Sequence, residues 1–212
     1  MHNLKNVTIR AISVSEMSNN VYLLTSKSSG QQVLIDAADD APAILSLLSE
    51  AQDDADAATT LALIVTTHSH WDHVRALGKI REATNAPTAA GADDVANIAE
   101  PTDTPLNHGD IKSFDGFDLE VIHLRGHTPG SIALLYRDPS GPAYLFTGDS
   151  LFPGGIGNTG NDPARFVSLY NDVATRIFDY LPDDTVVHPG HGDATTLGAE
   201  RGSLAEWKLR GW

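Results

Sequence analysis

The stretch LALIVTTHSHWDHV, at residues 61–74, runs an apolar segment directly into three histidines and an aspartate. Residues two apart in an extended segment share a face, so His68 and His70 can point at one ion. The chain then turns toward a following helix and presents Asp72 and His73 to a neighbouring position. Imidazole and carboxylate groups are common ligands of zinc, manganese and iron, and burying them without a partner is costly. The pattern predicts a metal-binding loop at the end of a buried strand.

Composition narrows the class of protein. With 212 residues, 41% hydrophobic and 20% charged, the chain is typical of a globular protein, and we expect one domain over residues 1–212. No apolar run approaches the ~20 residues that span a bilayer, and the first residues lack a signal peptide, so we expect a cytoplasmic protein without a membrane partner. Acidic residues outnumber basic ones by 28 to 14, which disfavours nucleic acid. Cysteine is absent, so any metal must bind His, Asp or Glu.

The order of predicted elements indicates the fold class. Alternating and apolar runs predict strands at residues 7–14, 21–26, 32–37, 61–65, 86–91, 111–114, 117–124, 131–137, 143–148 and 185–190. Helical spacing predicts helices at residues 42–51, 74–85, 93–100, 163–180 and 197–208, with a loop at 101–109. Strands, helices, strands and helices in one chain suggest two sheets inside helical layers.

Three further motifs follow HSHWDH along the chain: RGHTPGS at residues 125–131, FTGDSLF at 146–152 and HPGHGD at 188–193. In order and character, the four motifs resemble those of the metallo-β-lactamase superfamily, and the resemblance covers nearly the whole chain. It implies an α/β fold, a four-layer αββα sandwich, with a two-metal site at one edge of the sheets.

The resemblance also implies a set of ligands. His68, His70 and His127 would hold the first metal, Asp72, His73 and His191 the second, and Asp149 would bridge them. Two divalent ions are expected, zinc before iron or manganese. Asp36 matches an aspartate that braces the metal loops in the superfamily. His188 is expected to be structural.

Within the superfamily, the motifs GHTPGS and GDSLF look most like those of the glyoxalase II group, the hydroxyacylglutathione hydrolases and their short relatives. Common class B β-lactamases carry cysteine where this chain has Asp149, so β-lactam hydrolysis is disfavoured. The resemblance implies hydrolysis of a small-molecule thioester or related ester by a metal-bridging hydroxide, since metals lower the pKa of water toward about 7. Asp72 is the candidate catalytic residue, because it could orient the hydroxide or accept its proton.

Other possibilities stay open on the sequence alone. Glyoxalases usually place a basic side chain where this chain has Asn158, so the thiol carrier is open, as are lactones and plain esters. Arg125 and Arg165 could bind substrate or simply lie on a rim. The persulfide dioxygenases, which use a single iron, also resemble the chain and are the oxidoreductase alternative. A third possibility is a metal-binding member without turnover, and the oligomeric state is undetermined.

Overall fold

Two β-sheets face each other in the computed structural model, which describes residues 1–211. The first sheet contains β1 (His2–Asn3), β2 (Val7–Val14), β3 (Asn19–Ser26), β4 (Gln31–Ile35), β5 (Thr60–Thr66), β6 (Thr88–Gly91) and β7 (Thr104–Leu106), in that spatial order. Neighbours are antiparallel from β1 to β4 and parallel from β4 to β7.

The second half of the chain forms the second sheet and a small hairpin. Its strands are β8 (Ile111–Phe114), β9 (Phe117–His123), β10 (Ile132–Arg137), β11 (Ala143–Gly148), β12 (Leu151–Phe152), β13 (Gly155–Ile156), β14 (Val186–Pro189) and β15 (Thr195–Thr196). The sheet order is β15-β14-β11-β10-β9-β8, and β12 pairs with β13 apart from it. The pair β11–β14 is parallel, whereas the other pairs of this sheet are antiparallel.

Helices cover the outer face of each sheet. On the first sheet lie α1 (Ala41–Glu50) and α2 (Leu77–Thr84), and on the second lie α3 (Pro163–Val173), α4 (Leu197–Arg201) and α5 (Leu204–Arg210). The side chain of Asp162 caps α3 by accepting hydrogen bonds from the amides of Ala164 and Arg165, and Pro163 fits its first turn. Among residues 1–211, no helix combines the length and apolarity needed to cross a bilayer.

Period-two alternation explains why both sheets are buried on both faces. Along β9, Leu119 and Val121 point into the layer between the sheets, whereas Ile122 points toward α3. Leu24 of the first sheet joins the same inner layer, and Ile64 packs outward against α1 and α2. The resulting order of layers is helix, sheet, sheet, helix, which confirms the αββα fold class.

Several predicted element bounds differ from the structure. The helix expected at 74–85 begins only at Leu77, because a single helical turn, Trp71–His73, precedes it. The helix expected at 93–100 is a 3-10 segment, Ala92–Asn97, and the one expected at 163–180 continues beyond α3 as a π-helical turn, Ala174–Phe178. The closing helix is broken between α4 and α5, where Gly202 lowers helix propensity.

The loop expected at 101–109 was also wrong in part, because it contains β7. This short strand carries Pro105 and forms the last strand of the first sheet. Proline cannot donate a ladder hydrogen bond, and an edge strand is the position that tolerates it.

Candidate metal centre

The ends of several strands meet at one edge of the two sheets. His68 and His70 follow β5, and Asp72 and His73 lie on the turn Trp71–His73. From the second sheet come three more side chains: His127 from the β9–β10 loop, Asp149 directly after β11, and His191 after β14. All seven side chains that the sequence motifs indicated are therefore brought together, four from the first sheet and three from the second.

Their ligand-type atoms form two separate groups, and a third set, His68, His73 and Asp149, overlaps both. His68, His70 and His127 have one ligand-type atom each within 4.8 Å of one another, and so do Asp72, His73 and His191. His68, His70 and His127 are called the first group below, and Asp72, His73 and His191 are called the second group. In the first group, the ring of His127 meets those of His68 and His70 edge-on, at centroid distances of 4.8 and 4.5 Å.

Asp149 lies between the two groups. Its Oδ2 atom is 3.6 Å from Nε2 of His127 in the first group and 3.4 Å from Nε2 of His191 in the second. Its Oδ1 atom is 3.4 Å from Nε2 of His73. One carboxylate thus reaches both sets of imidazoles.

The outer ring nitrogens of these histidines are held by oxygen acceptors. Asp36 Oδ2 lies 2.9 Å from Nδ1 of His73, the carbonyl of Asn158 lies 2.7 Å from Nδ1 of His127, and the carbonyl of Met17 lies 2.8 Å from Nδ1 of His191. An acceptor at Nδ1 keeps the hydrogen of a neutral ring there and leaves the lone pair on Nε2. In their neutral forms, the three rings therefore direct Nε2 lone pairs at the centre.

Several inner atoms lack any hydrogen-bond partner. Nε2 of His68, Nε2 of His127 and Oδ1 of Asp149 are buried and unpaired. Leaving such atoms unpaired is unfavourable by roughly 1–3 kcal/mol each. In the second group, Nε2 of His73 lies 3.2 Å from Nε2 of His191. A cation among these atoms would give each of them a partner.

The electrostatics of the centre favour positive charge. Burial, and then the neighbouring His73, lower the pKa of His68 well below its usual value. Burial opposes the charged form of His73 too, but Asp36 and Asp149 raise the pKa of His73 to about 10. Burial alone would raise the pKa of Asp149, yet the adjacent rings of His191 and His73 hold it well below its usual range. Protons on the histidines or a bound metal ion can supply the positive charge that compensates the negative carboxylates.

Close backbone approach shapes the second group. A Cβ atom added to Gly190 would lie 2.2 Å from Oδ1 of Asp149 and 2.8 Å from Cε1 of His73. Only glycine therefore fits beside these two side chains. The motif HPGHGD places this glycine directly before His191.

A cleft of about 770 Å³ opens beside the first group. His70, His127, Arg125 and Arg165 are among its lining residues. A larger cleft of about 830 Å³ runs along α2, but none of the seven ligand-type side chains lines it. The smaller cleft is therefore the one that lies next to the ligand-type side chains.

Arg125 and Arg165 both hold the loop that carries His127. Nε of Arg165 donates to the carbonyl of Gly126 at 2.8 Å, and its Nη2 donates to the carbonyl of His127. Arg125 donates through Nε and Nη2 to the carboxylate of Asp172 on α3, at 2.9 and 2.8 Å. Both guanidinium groups thus have bracing contacts in the structure.

Two polar residues beside the centre were missed by the sequence motifs. Asn19, fully buried at the start of β3, donates from Nδ2 to Oδ2 of Asp72 at 2.9 Å. Asp94, also fully buried, accepts hydrogen bonds from the loops of both sheets. An aspartate pair after a short strand was the only sequence signal for Asp94, and no signal indicated Asn19.

Comparison with known proteins agrees with the fold and the motifs. A hydroxyacylglutathione hydrolase of Ruegeria pomeroyi is 35% identical over 190 residues, covering 89% of this chain and 66% of that protein. The crystal structure of the B3 metallo-beta-lactamase BLEG-1 has a TM-score of 0.78 and 28% identity, covering 92% of this chain and 97% of that one. ETHE1 from Myxococcus xanthus has a TM-score of 0.76 and 31% identity, covering 92% and 81%. The family model of the metallo-beta-lactamase superfamily matches residues 14–191, and the chain belongs to that superfamily.

Proposed function

We propose that the protein is a metal-dependent hydrolase of thioesters or related carboxylic esters. The observation that carries the proposal is the position of Asp149, whose Oδ2 lies 3.6 Å from His127 and 3.4 Å from His191. A carboxylate within reach of two groups of ligand-type side chains would let one residue bind both ions of a metal pair. The likeness to hydroxyacylglutathione hydrolases supports the reaction class.

The donor set fits two divalent ions. His68, His70 and His127 would hold one, Asp72, His73 and His191 the other, and Asp149 both. Nitrogen and oxygen donors of this kind bind zinc, iron and manganese, and zinc is the ion proposed first. When bound, such ions supply Lewis-acid activation of a carbonyl group and of water at neutral pH.

Asp72 is the proposed catalytic residue. Burial alone would raise its pKa, but the hydrogen bond from Asn19 and the charge of His73 lower it, so Asp72 is a carboxylate at neutral pH. Oδ2 of Asp72 accepts from the Asn19 amide at 2.9 Å and lies 3.3 Å from Nε2 of His191, so the carboxylate faces the second group, where it could orient water or accept its proton.

The chemistry of the leaving group supports a thioester as the proposed substrate. A thiol has a pKa near 8.5, so a thiolate departs without much protonation and needs no strong general acid. The cleft beside His70 and His127 has space for the thiol carrier, and a lactone or a plain ester fits the same chemistry. The carrier itself is the part of the proposal that an assay has to identify.

A mononuclear iron dioxygenase acting on a persulfide is the second candidate. The resemblance of the sequence motifs to those of the persulfide dioxygenases favours it, and the three histidines of the first group are close enough to hold a single ion. A single domain over residues 1–212 and a cytoplasmic location stay predictions from the sequence.

Elemental analysis of the protein purified without added metal or chelator tests the proposal first. We expect close to two ions per chain, zinc or a mixture, and turnover on a panel of thioesters with several thiol carriers, beside a lactone and a β-lactam. One iron per chain, with oxygen consumption on a persulfide, would replace the hydrolase by the dioxygenase. Two bound ions without turnover on any ester or persulfide would favour a metal-binding member that lacks catalysis.

A further inference from the structure

We propose that Asp94 is a positioning residue that fixes the distance between the two loops carrying the first group. The inference rests on the proposed metal centre, because its consequence is the affinity of one metal position. Asp94 lies in the 3-10 segment Ala92–Asn97, outside the four sequence motifs, and its side chain is 0% exposed.

The carboxylate of Asp94 joins one loop from each sheet. Its Oδ2 accepts from the amide of Ser69 at 2.8 Å and from the hydroxyl of Thr128 at 2.6 Å, and its Oδ1 accepts from the amide of Gly130 at 2.7 Å. Ser69 lies between the ligand-type residues His68 and His70. Thr128 directly follows the third member of the group, His127.

The energetics make this link cooperative. Removing a carboxylate from water is strongly unfavourable unless hydrogen bonds replace its hydration. The three donors are neutral groups from two different loops, so the burial of Asp94 is compensated only when both loops are in place. The arrangement of His68 and His70 relative to His127 is thereby coupled to a single side chain.

Backbone contact strengthens the link. A Cβ atom added to Gly130 would lie 2.3 Å from the amide nitrogen of Asp94, so the two segments touch directly. The hydroxyl of Thr128, which donates to Asp94, lies 2.5 Å from the hydroxyl of Ser131, and Oγ of Ser131 accepts from the amide of Thr128 at 3.0 Å. The Thr128 side chain is therefore fixed from both sides.

Separate contacts hold the second group. Asn19 donates to Asp72 at 2.9 Å, Asp36 lies 2.9 Å from Nδ1 of His73, and the carbonyl of Met17 lies 2.8 Å from Nδ1 of His191. None of these contacts passes through Asp94. Loss of Asp94 should consequently weaken metal binding at the first group and leave the second nearly unchanged.

The experiment compares Asp94→Ala with Asn19→Ala as the matched variant on the second group. Zinc affinity is measured by competition with a chromophoric chelator, and the cobalt-substituted proteins are examined by visible absorption, whose bands report the coordination at each position. In Asp94→Ala we expect one binding step to weaken about 10- to 100-fold, the usual effect of removing a group that orients ligands. In Asn19→Ala we expect the other step to weaken and a different set of cobalt bands to change.

Two milder variants keep the test decisive if Asp94→Ala fails to fold. Thr128→Val removes one of the three donors with little change in volume, and Asp94→Asn keeps an acceptor oxygen but turns an amide group toward a donor. Both should weaken the same step as Asp94→Ala, by smaller factors. Equal weakening of both steps, or an unchanged first step in folded Asp94→Asn and Thr128→Val, would overturn the proposal.

The metal-binding measurement tests the role of Asp94 separately from the proposed hydrolase activity. Metal binding is measured without substrate, so an inactive protein still tests Asp94. If the wild-type protein binds a single ion, the binuclear centre fails. Asp94 then keeps its role only if the affinity for that one ion falls in Asp94→Asn and Thr128→Val and is retained in Asn19→Ala.

Discussion

Asp36 lies 2.9 Å from the Nδ1 atom of His73 through Oδ2, and its carboxylate also accepts from the amide of Thr67 at 2.7 Å. The residue is 2% exposed and has a left-handed φ of 58° directly after β4, a conformation that aspartate tolerates better than most residues. A residue at the end of one strand thus orients a ligand-type side chain on the turn after the next strand.

Replacing Asp36 with asparagine should weaken metal binding about 10- to 100-fold. The amide would keep one acceptor oxygen, and its NH₂ group would face a donor, either the Thr67 amide or the ring N–H of His73. Chelator competition measures the effect. Asp39→Asn is the matched control, because Asp39 pairs at the surface with Arg75, at 2.7 Å. An affinity for Asp36→Asn equal to that of the control would show that other contacts orient His73.

Asp72→Asn should lower kcat by about 10²- to 10⁴-fold, the usual contribution of a general base. The assay uses the best thioester of the panel with metal in excess, so that weaker binding does not dominate the result. Asp179→Asn serves as the control, since Asp179 is an exposed acidic residue that neither lines the cleft nor belongs to either group. Full turnover of Asp72→Asn with both metals bound would refute the catalytic role.

Gly190→Ala should abolish metal binding at the second group. Its new methyl group would lie 2.2 Å from Oδ1 of Asp149, so the carboxylate or the strand has to move. Elemental analysis of the purified variant checks the loss. Gly202→Ala is the control, because a Cβ atom there meets nothing within 4 Å. Retention of two ions in Gly190→Ala would show that the centre tolerates a displacement of this size.

His188 should make the protein less stable in acid. Burial lowers the pKa of His188 from 6.5 to about 4, and its Nε2 has no hydrogen-bond partner. The unfolded chain therefore binds the proton more readily than the folded one. Stability from the neutral ring is complete above pH 6.5 and is lost progressively down to about pH 4. A shift of this size corresponds to a loss of at most about 3 kcal/mol.

The variant His188→Phe tests this pH dependence. The ring of His188 stacks on Phe146 with centroids 5.3 Å apart, so phenylalanine suits the same surroundings. Denaturant unfolding of the wild type and the variant at several pH values gives the difference in free energy of unfolding, in which effects common to both cancel. We expect the variant to gain relative stability between pH 6.5 and 4. His108→Gln, at an exposed position, serves as the control variant.

Local sequence indicated much of the site because its chemistry is concentrated in short segments. Four of the seven ligand-type side chains fall within residues 68–73, and the others each follow a strand in a recognisable loop. Contacts made only by the tertiary fold were not accessible in this way. Asn19 is 53 positions from Asp72, and Asp94 is 25 positions from Ser69. A buried aspartate in a polar run looks the same in sequence as a solvated one.

The bounds of the helices also show what local sequence cannot predict. Apolar spacing predicted a helix from Val74, but the backbone first forms the turn Trp71–His73, which directs Asp72 and His73 inward, and α2 starts at Leu77. Helical spacing also continued past α3, where the structure changes to the π-helical turn Ala174–Phe178. Periodicity reports which side chains face the core, and it does not resolve the hydrogen-bond pattern of each turn.

The division of the ligand-type residues between the two sheets bears on the biogenesis of the protein. The first sheet supplies His68, His70, Asp72 and His73, but the first group is incomplete without His127 and the second without His191. A nascent chain that has made only the first sheet therefore lacks a full site of either kind. A complete metal site would form only after the two sheets have packed together. The folded protein, and not the nascent chain, would therefore determine which ion is bound.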